Sequence, residues 1–392
     1  MKPGRYFLLL ISAVLITACG DDDNSEPPAE LTEYDRTHYL AQEWSVSTDD
    51  SIDQQYLFIE PLLLRDRIVT AGRNGTLNAY NLEDGDELAE IELDIPLSGG
   101  VGGTEDTWLV GSRNGELIAV SSKSNETLWR TPVPSEILAR PVVYNNNVVL
   151  VRTADGQILG VDIKTGKINW NYSKTIPSLT LRGSSSPILS RSHFYTGLES
   201  GRLIAMSPID GEVVWDIALT VPEGRSEIQR LVDIDGRSEL YGRVLYAASY
   251  HGRMAAIDVT RGQFLWARSF SSNTGVSVGT DAVYSTDDRS HVWALDRNNG
   301  ATLWKQDKLQ ARSVTRPVIY KDFLVVGDFE GYVHVMSRFD GSFVARTQVD
   351  SDGILVPPIV DGDRLLVLSR DGYLAAYSIR ESVQYTDEEL FD

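Results

Sequence analysis

Residues 252–266 read GRMAAIDVTRGQFLW. A glycine opens a short apolar run through Ala256, a turn follows over Asp258 and Gly262, and a second run ends at Trp266. The same frame stands at 156–170 (GQILGVDIKTGKINW) and 201–215 (GRLIAMSPIDGEVVW). Looser copies lead from Gly115 through Ala119 and Asn125 to Trp129, and from Ser290 through Ala294, Asp296 and Gly300 to Trp304. Gly75 leads to Gly85 and Gly331 to Gly341 without a tryptophan, and Gly372 leads to Ala376, where the pattern stops. The eight starts are 40, 41, 45, 51, 38, 41 and 41 residues apart. A period of about 40–45 residues fits one four-stranded propeller blade. A helical solenoid of similar period would need apolar residues at helical spacing, and none is seen.

One unit shows the strands. Residues 140–144 (RPVVY) are short and apolar, 145–147 are a polar turn, and 148–152 (VVLVR) form a second run. Asp155 and Gly156 turn the chain into 157–162, and 164–166 turn it again into 167–172. Short runs rich in Val, Ile, Tyr and Trp between Asp, Asn and Gly turns read as strands joined by hairpins. The closing tryptophan is too large for one small sheet, so its flat ring is expected to cover the next blade. The A-x-D-x-x-T-G-x-x-x-W form, closest at 256–266, resembles the tryptophan-docking motif of quinoprotein propellers. The eighth unit lacks its fourth strand, while an unpaired Trp44 lies at the other end, in AQEWS (41–45). A strand around Trp44 is therefore predicted to complete the last blade and close the ring, because an open ring would leave two apolar blade faces uncovered. The fold expected is an all-β, eight-bladed propeller over 39–380.

The first 18 residues read as a secretory leader, with Lys2 and Arg5 before the apolar stretch 6–16, which is too short for an ordinary membrane span. The end, Ile16-Thr17-Ala18-Cys19, resembles a bacterial lipobox, which implies lipidation of Cys19. Gly20 after it implies, by the same resemblance, sorting to the outer membrane. Cys19 is the only cysteine, so no disulfide forms within the chain. The formal net charge is −20. Much of it sits in two arms: 20–36 holds seven acids and one base, and 381–392 holds five acids. Residues 19–38 are expected to be a flexible tether that leaves the propeller's orientation free, and 381–392 an acidic tail. With no basic stripe, nucleic acid is not an expected partner.

Little points to catalysis. Residues 275–279 (GVSVG) match the G-x-S-x-G pattern, but Ser277 lies between two blades with no helix after it, as that nucleophile requires. The five histidines, His38, His193, His251, His291 and His334, have no metal-ligand spacing. Asp233-Ile-Asp235-Gly236 lacks the third acidic position and closing glutamate of a calcium loop. No cofactor, metal or catalytic residue is expected.

The two longest spacings, 45 and 51, are swollen by distinctive segments, and binding residues in repeat proteins favour such irregular places. The first is PSLTLRG (177–183) followed by SSSP, where alternation puts Leu179 and Leu181 on one side with Arg182 beside them. The second, SEIQRLVDID (226–235), alternates to place Asp233 and Asp235 together. These segments, with VVGDFEGYVHVMSRFDGSFVA (325–345), resemble the propeller lipoproteins of the outer-membrane β-barrel assembly machinery, and the resemblance runs from the lipobox to Gly372. It implies a non-catalytic scaffold on the periplasmic side of the outer membrane. It further implies that Leu179, Leu181, Arg182, Asp233 and Asp235 contact the POTRA region of the central barrel protein and assist insertion of barrel proteins. Direct contact with unfolded substrate chains is a further possibility. Two other readings stay open: a quinone-cofactor dehydrogenase, which shares the blade type, and a propeller adaptor for another envelope complex.

Overall fold

The computed structural model describes residues 26–48, 58–181 and 185–382. The leader, Cys19, Arg182 and 383–392 lie outside them.

Eight four-stranded antiparallel sheets follow one another round a ring. Blades 1 to 7 span 62–92, 102–132, 142–173, 188–218, 239–269, 276–306 and 318–348. Each runs in strict chain order from its first strand to its fourth. Blade 8 takes three strands from 359–381 and its fourth from His38–Ser47, which pairs antiparallel with Tyr373–Glu381. The two chain ends thus close the ring as predicted, with Trp44 opposite Ala376.

The tryptophans explain the motif. Trp129, Trp170, Trp215, Trp266 and Trp304 each stand opposite a small residue on the third strand: Ala119, Gly160, Ala205, Ala256 and Ala294. A bulge follows each of these pairs. Each indole then lies on the turn glycine of the next blade. A Cβ on Gly166 would come within 2.7 Å of the Trp129 ring, which is why that position is glycine. The indole N–H donates to the carbonyl three residues before that glycine, as from Trp129 to Ile163 at 2.9 Å and from Trp304 to Arg338 at 3.0 Å. Such a ring hides a large apolar area while its one polar atom stays satisfied.

Two interfaces lack the tryptophan. Ala345 stands at its position in blade 7, buried among Leu40, Tyr377 and their neighbours. Blade 8 has no turn between its third and fourth strands, since those come from opposite chain ends, so a tryptophan there would find no glycine. In blade 1 the position is Ala89, and the facing turn carries Asn125 with φ 57° in place of glycine.

The upper face is taken as the side where the fourth strand of each blade hands over to the next. With four antiparallel strands per blade, all such linkers share that side. Residues 26–37, expected to be a free tether, are instead packed on the propeller. Ala29 N–H donates to Gln310 O at 2.9 Å, and Arg312 and Arg346 donate to the carbonyls of Ala29 and Thr32 at 3.0 and 3.2 Å. Leu31 and Tyr34 pack against the apolar cluster shared by blades 6 and 7. The acidic composition that suggested disorder hides these two anchors.

Candidate docking site

The linker between blades 3 and 4 has no regular structure over 174–181. Leu179 and Leu181 are 40% and 36% exposed, so both present apolar surface to solvent. The linker between blades 4 and 5 lies beside it and carries a short 3-10 turn at Ile228–Arg230, where an alternating extended run was expected. Two hydrogen bonds tie the linkers together. Ser178 Oγ donates to Glu227 Oε2 at 3.0 Å, and the Leu181 N–H donates to Asp233 Oδ2 at 2.5 Å. The structure thus brings the two irregular segments to one place on the upper face.

Asp233, expected to contact the partner, is only 1% exposed, and its carboxylate faces the loop at Leu181. Burial pushes its carboxyl up to about 6, with a smaller push from Glu199, against the opposing pull of the Leu181 N–H and Arg152. Asp235 is half-buried and both its carboxylate oxygens are hidden from solvent. The reason lies in the residue between them. Ile234 fills the space over Gly197, where an added Cβ would come within 2.3 Å. Ile137 over Gly111 and Ile354 over Gly327 do the same at other junctions. Asp-Ile-Asp is therefore a blade plug with an acid on each side, and the plug draws both acids inward.

The junction between blades 3 and 4 departs from this pattern. Each of these three isoleucines stands five residues before the next blade's first strand. The second strands of the other seven blades end in Ala71, Gly111, Gly197, Ala248, Thr286, Gly327 and Leu368, whereas blade 3 ends in Arg152. Its guanidinium is buried, paired with Glu199 at 2.5 Å and donating to Ser185 O and Ser185 Oγ at 3.3 Å. Its Nη1 and Nη2 are satisfied within the junction, whereas the buried Nε has no hydrogen-bond partner among the described residues. Residue types and blade register carried this signal, but only once the strand ends were known. Sequence reasoning also missed Ile228, which is 65% exposed and adjoins Glu227, the partner of Ser178.

The sites weighed for catalysis are structural. Ser277 Oγ donates to Pro317 O at 2.6 Å and accepts from Arg316, with no histidine involved. His291 Nδ1 lies 2.9 Å from Asp287 Oδ2, which also accepts the Trp293 indole N–H at 2.8 Å. Among the described residues no three metal-ligating side chains converge.

Docked tryptophans and eight four-stranded blades define a tryptophan-docked β-propeller, with two linkers tied together on its upper face. Solved quinohemoprotein alcohol dehydrogenases share only the fold: that of Comamonas testosteroni aligns with TM-score 0.68 at 13% identity, over 86% of this chain and 76% of its own. The family described as outer membrane protein assembly factor BamB matches over 73–306 and 296–384. The BamB of Pseudomonas aeruginosa is 38% identical over 381 residues, 97% of this chain and all of the relative. That of Escherichia coli is 32% identical over 389 residues, 97% of this chain and 98% of the relative. The BamB crystal structure from Moraxella catarrhalis aligns with TM-score 0.80 at 28% identity, covering 86% of this chain and 99% of that one. The chain belongs to the BamB family of outer membrane protein assembly factors.

Proposed function

We propose that this chain is a non-catalytic scaffold of outer-membrane β-barrel assembly, lipidated at Cys19 and facing the periplasm. Its partner is the POTRA region of the central barrel protein. The observation that carries this reading is the pair Leu179 and Leu181, exposed on a linker that Asp233 pins from beneath. Two apolar side chains on a pre-ordered loop make a small anchor with little ordering cost on binding. Arg182, next along the chain, supplies a planar fork for a carboxylate of the partner. Ile228 extends the apolar surface. Asp233 acts from inside, by holding the Leu181 N–H, with Asp235 two residues on along the same linker. The scaffold fixes how the POTRA region is presented to arriving chains.

The test is co-purification of the central barrel protein with the full chain. The change Leu181→Ser with Arg182→Glu is expected to abolish it while the propeller's melting temperature stays nearly unchanged. Retained co-purification, or a large loss of stability, removes this assignment.

A further inference from the structure

The tether leaves the propeller from an unexpected side. In blade 8, Tyr373–Glu381 begins at the upper face, after the Gly372 turn, and ends at the lower one. His38 pairs with Glu381 and Ser47 with Tyr373, so the first strand starts at the lower face and climbs to the upper. A chain that continued straight back from His38 would leave from below. Residues 26–37 reverse this. Thr37 O accepts from Ser382 N–H at 2.8 Å, at the lower edge. Tyr34 meets Phe343, the first residue of blade 7's fourth strand, with ring centroids 5.9 Å apart. Thr32 is held by Arg346, which lies further along that strand. Ala29 and Glu26 reach Gln310, in the linker from blade 6 to blade 7, on the upper face. The segment thus crosses the full height of the propeller.

The latch is built rather than incidental. Arg312 is oriented by Asp328 at 2.7 Å and also pairs with Glu330, leaving Nη1 to hold Ala29 O. Arg346 donates its Nε–H to His334 Nδ1 at 3.0 Å, and the other ring nitrogen of His334 meets Asp328 at 2.9 Å. For Nδ1 to accept, His334 must be neutral and carry its proton on Nε2. Both arginines thus converge on one buried Asp328, Arg312 directly and Arg346 through His334.

We propose that residues 26–37 form a strap that carries the membrane tether from the lower to the upper face, so that the side bearing Leu179 and Leu181 is turned toward the lipid surface. This rests on the proposed lipid attachment at Cys19. Six residues lie between Cys19 and Glu26, and these seven backbone steps reach at most about 25 Å even when fully extended. The strap therefore trades tether length for orientation. The docking loops sit near the membrane, on the side where a membrane-embedded barrel protein keeps its periplasmic region.

Two measurements on the full lipidated chain test this. The first is Ala29→Cys with Gln310→Cys in growing cells. The backbones of this pair are already hydrogen-bonded, so a disulfide is expected in nearly all molecules, with barrel assembly unimpaired. Absence of the disulfide, or a disulfide that blocks assembly, overturns the strap. The second uses vesicles of phosphatidylethanolamine and phosphatidylglycerol carrying an energy-transfer acceptor on the headgroup. Fluorophores are placed through Ser351→Cys, on the upper linker after blade 7, and Phe339→Cys, on that blade's lower turn. Transfer is expected to be stronger from the upper label. Ala29→Pro with Leu31→Ser and Tyr34→Ser should reverse the order. Stronger or equal transfer from the lower label with the strap intact overturns the orientation, as does an order the strap variant leaves unchanged. The mass of the N-terminal peptide reads lipid attachment separately. An unmodified Cys19 removes the orientation together with the anchor, while the disulfide still decides the strap.

Discussion

The indole N–H of Trp44 donates to the backbone carbonyl of Leu82 at 3.0 Å, joining the strand that completes blade 8 to the turn of blade 1. The ring lies on Gly85, where a Cβ would come within 2.7 Å of it. One residue therefore serves two closures: its backbone zips the last sheet, and its side chain docks that sheet on the first. Trp44→Ala is expected to cost about 3–5 kcal/mol, the usual range for removing a large buried aromatic. Urea unfolding followed by far-ultraviolet circular dichroism checks this. A loss within experimental error would show that the ring stays closed through strand pairing alone.

Arg152, where the other blades carry a small or apolar residue, is ion-paired with Glu199. Arg152→Met leaves Glu199 buried without a partner and is expected to destabilise by about 3–5 kcal/mol. Adding Glu199→Gln should recover most of that, because the uncompensated charge is gone. A double-mutant cycle on unfolding free energies measures it. Simple additivity would mean the two side chains act independently.

Asp233 gives the stability a pH dependence of known sign. Its folded pKa, about 6, lies above the ordinary 3.8, so the native state keeps this proton to higher pH than the unfolded chain. Its contribution is fully present below about pH 4 and is lost as the pH rises through about 6. Asp233→Asn holds the group neutral and keeps an oxygen for the Leu181 N–H. The variant should gain up to roughly 3 kcal/mol over the parent above pH 6, at about 1.4 kcal/mol per pKa unit, and nothing below pH 4. Urea midpoints of parent and variant across that window decide it. A constant difference at every pH contradicts the assignment.

Leu179 and Leu181 are solvent-facing, so replacing both with Ser should move stability by no more than about 0.5 kcal/mol. Co-purification of the central barrel protein should nonetheless fall sharply. Thermal unfolding and pull-down on the same samples separate a lost contact from a lost fold.

The blade count and the ring closure through Trp44 were legible in the residue string, whereas the exposure of Leu179 and Leu181 was not, since alternation put them on one side without saying whether that side faced solvent. The count and the closure depend on local pattern: a turn glycine, an alternating strand, a missing fourth strand matched by a spare one. The burial of Asp233 was not legible, since alternation alone places two aspartates on one face without saying which way that face points. Counting Ile234 as a plug requires the blade register. The packing of 26–37 was hidden because acidic composition outweighed Leu31 and Tyr34, whose partners lie near the other end of the chain.

By itself the sequence determined the architecture, because in a propeller each unit meets only its neighbours and a repeated motif carries most of those contacts. Tertiary structure alone decided how the two linkers join over Arg152 and Asp233, and that residues 26–37 run from the lower face to the upper. Those features come from segments distant in sequence meeting at blade junctions, where burial and hydrogen-bond partners depend on the closed ring and not on any local pattern.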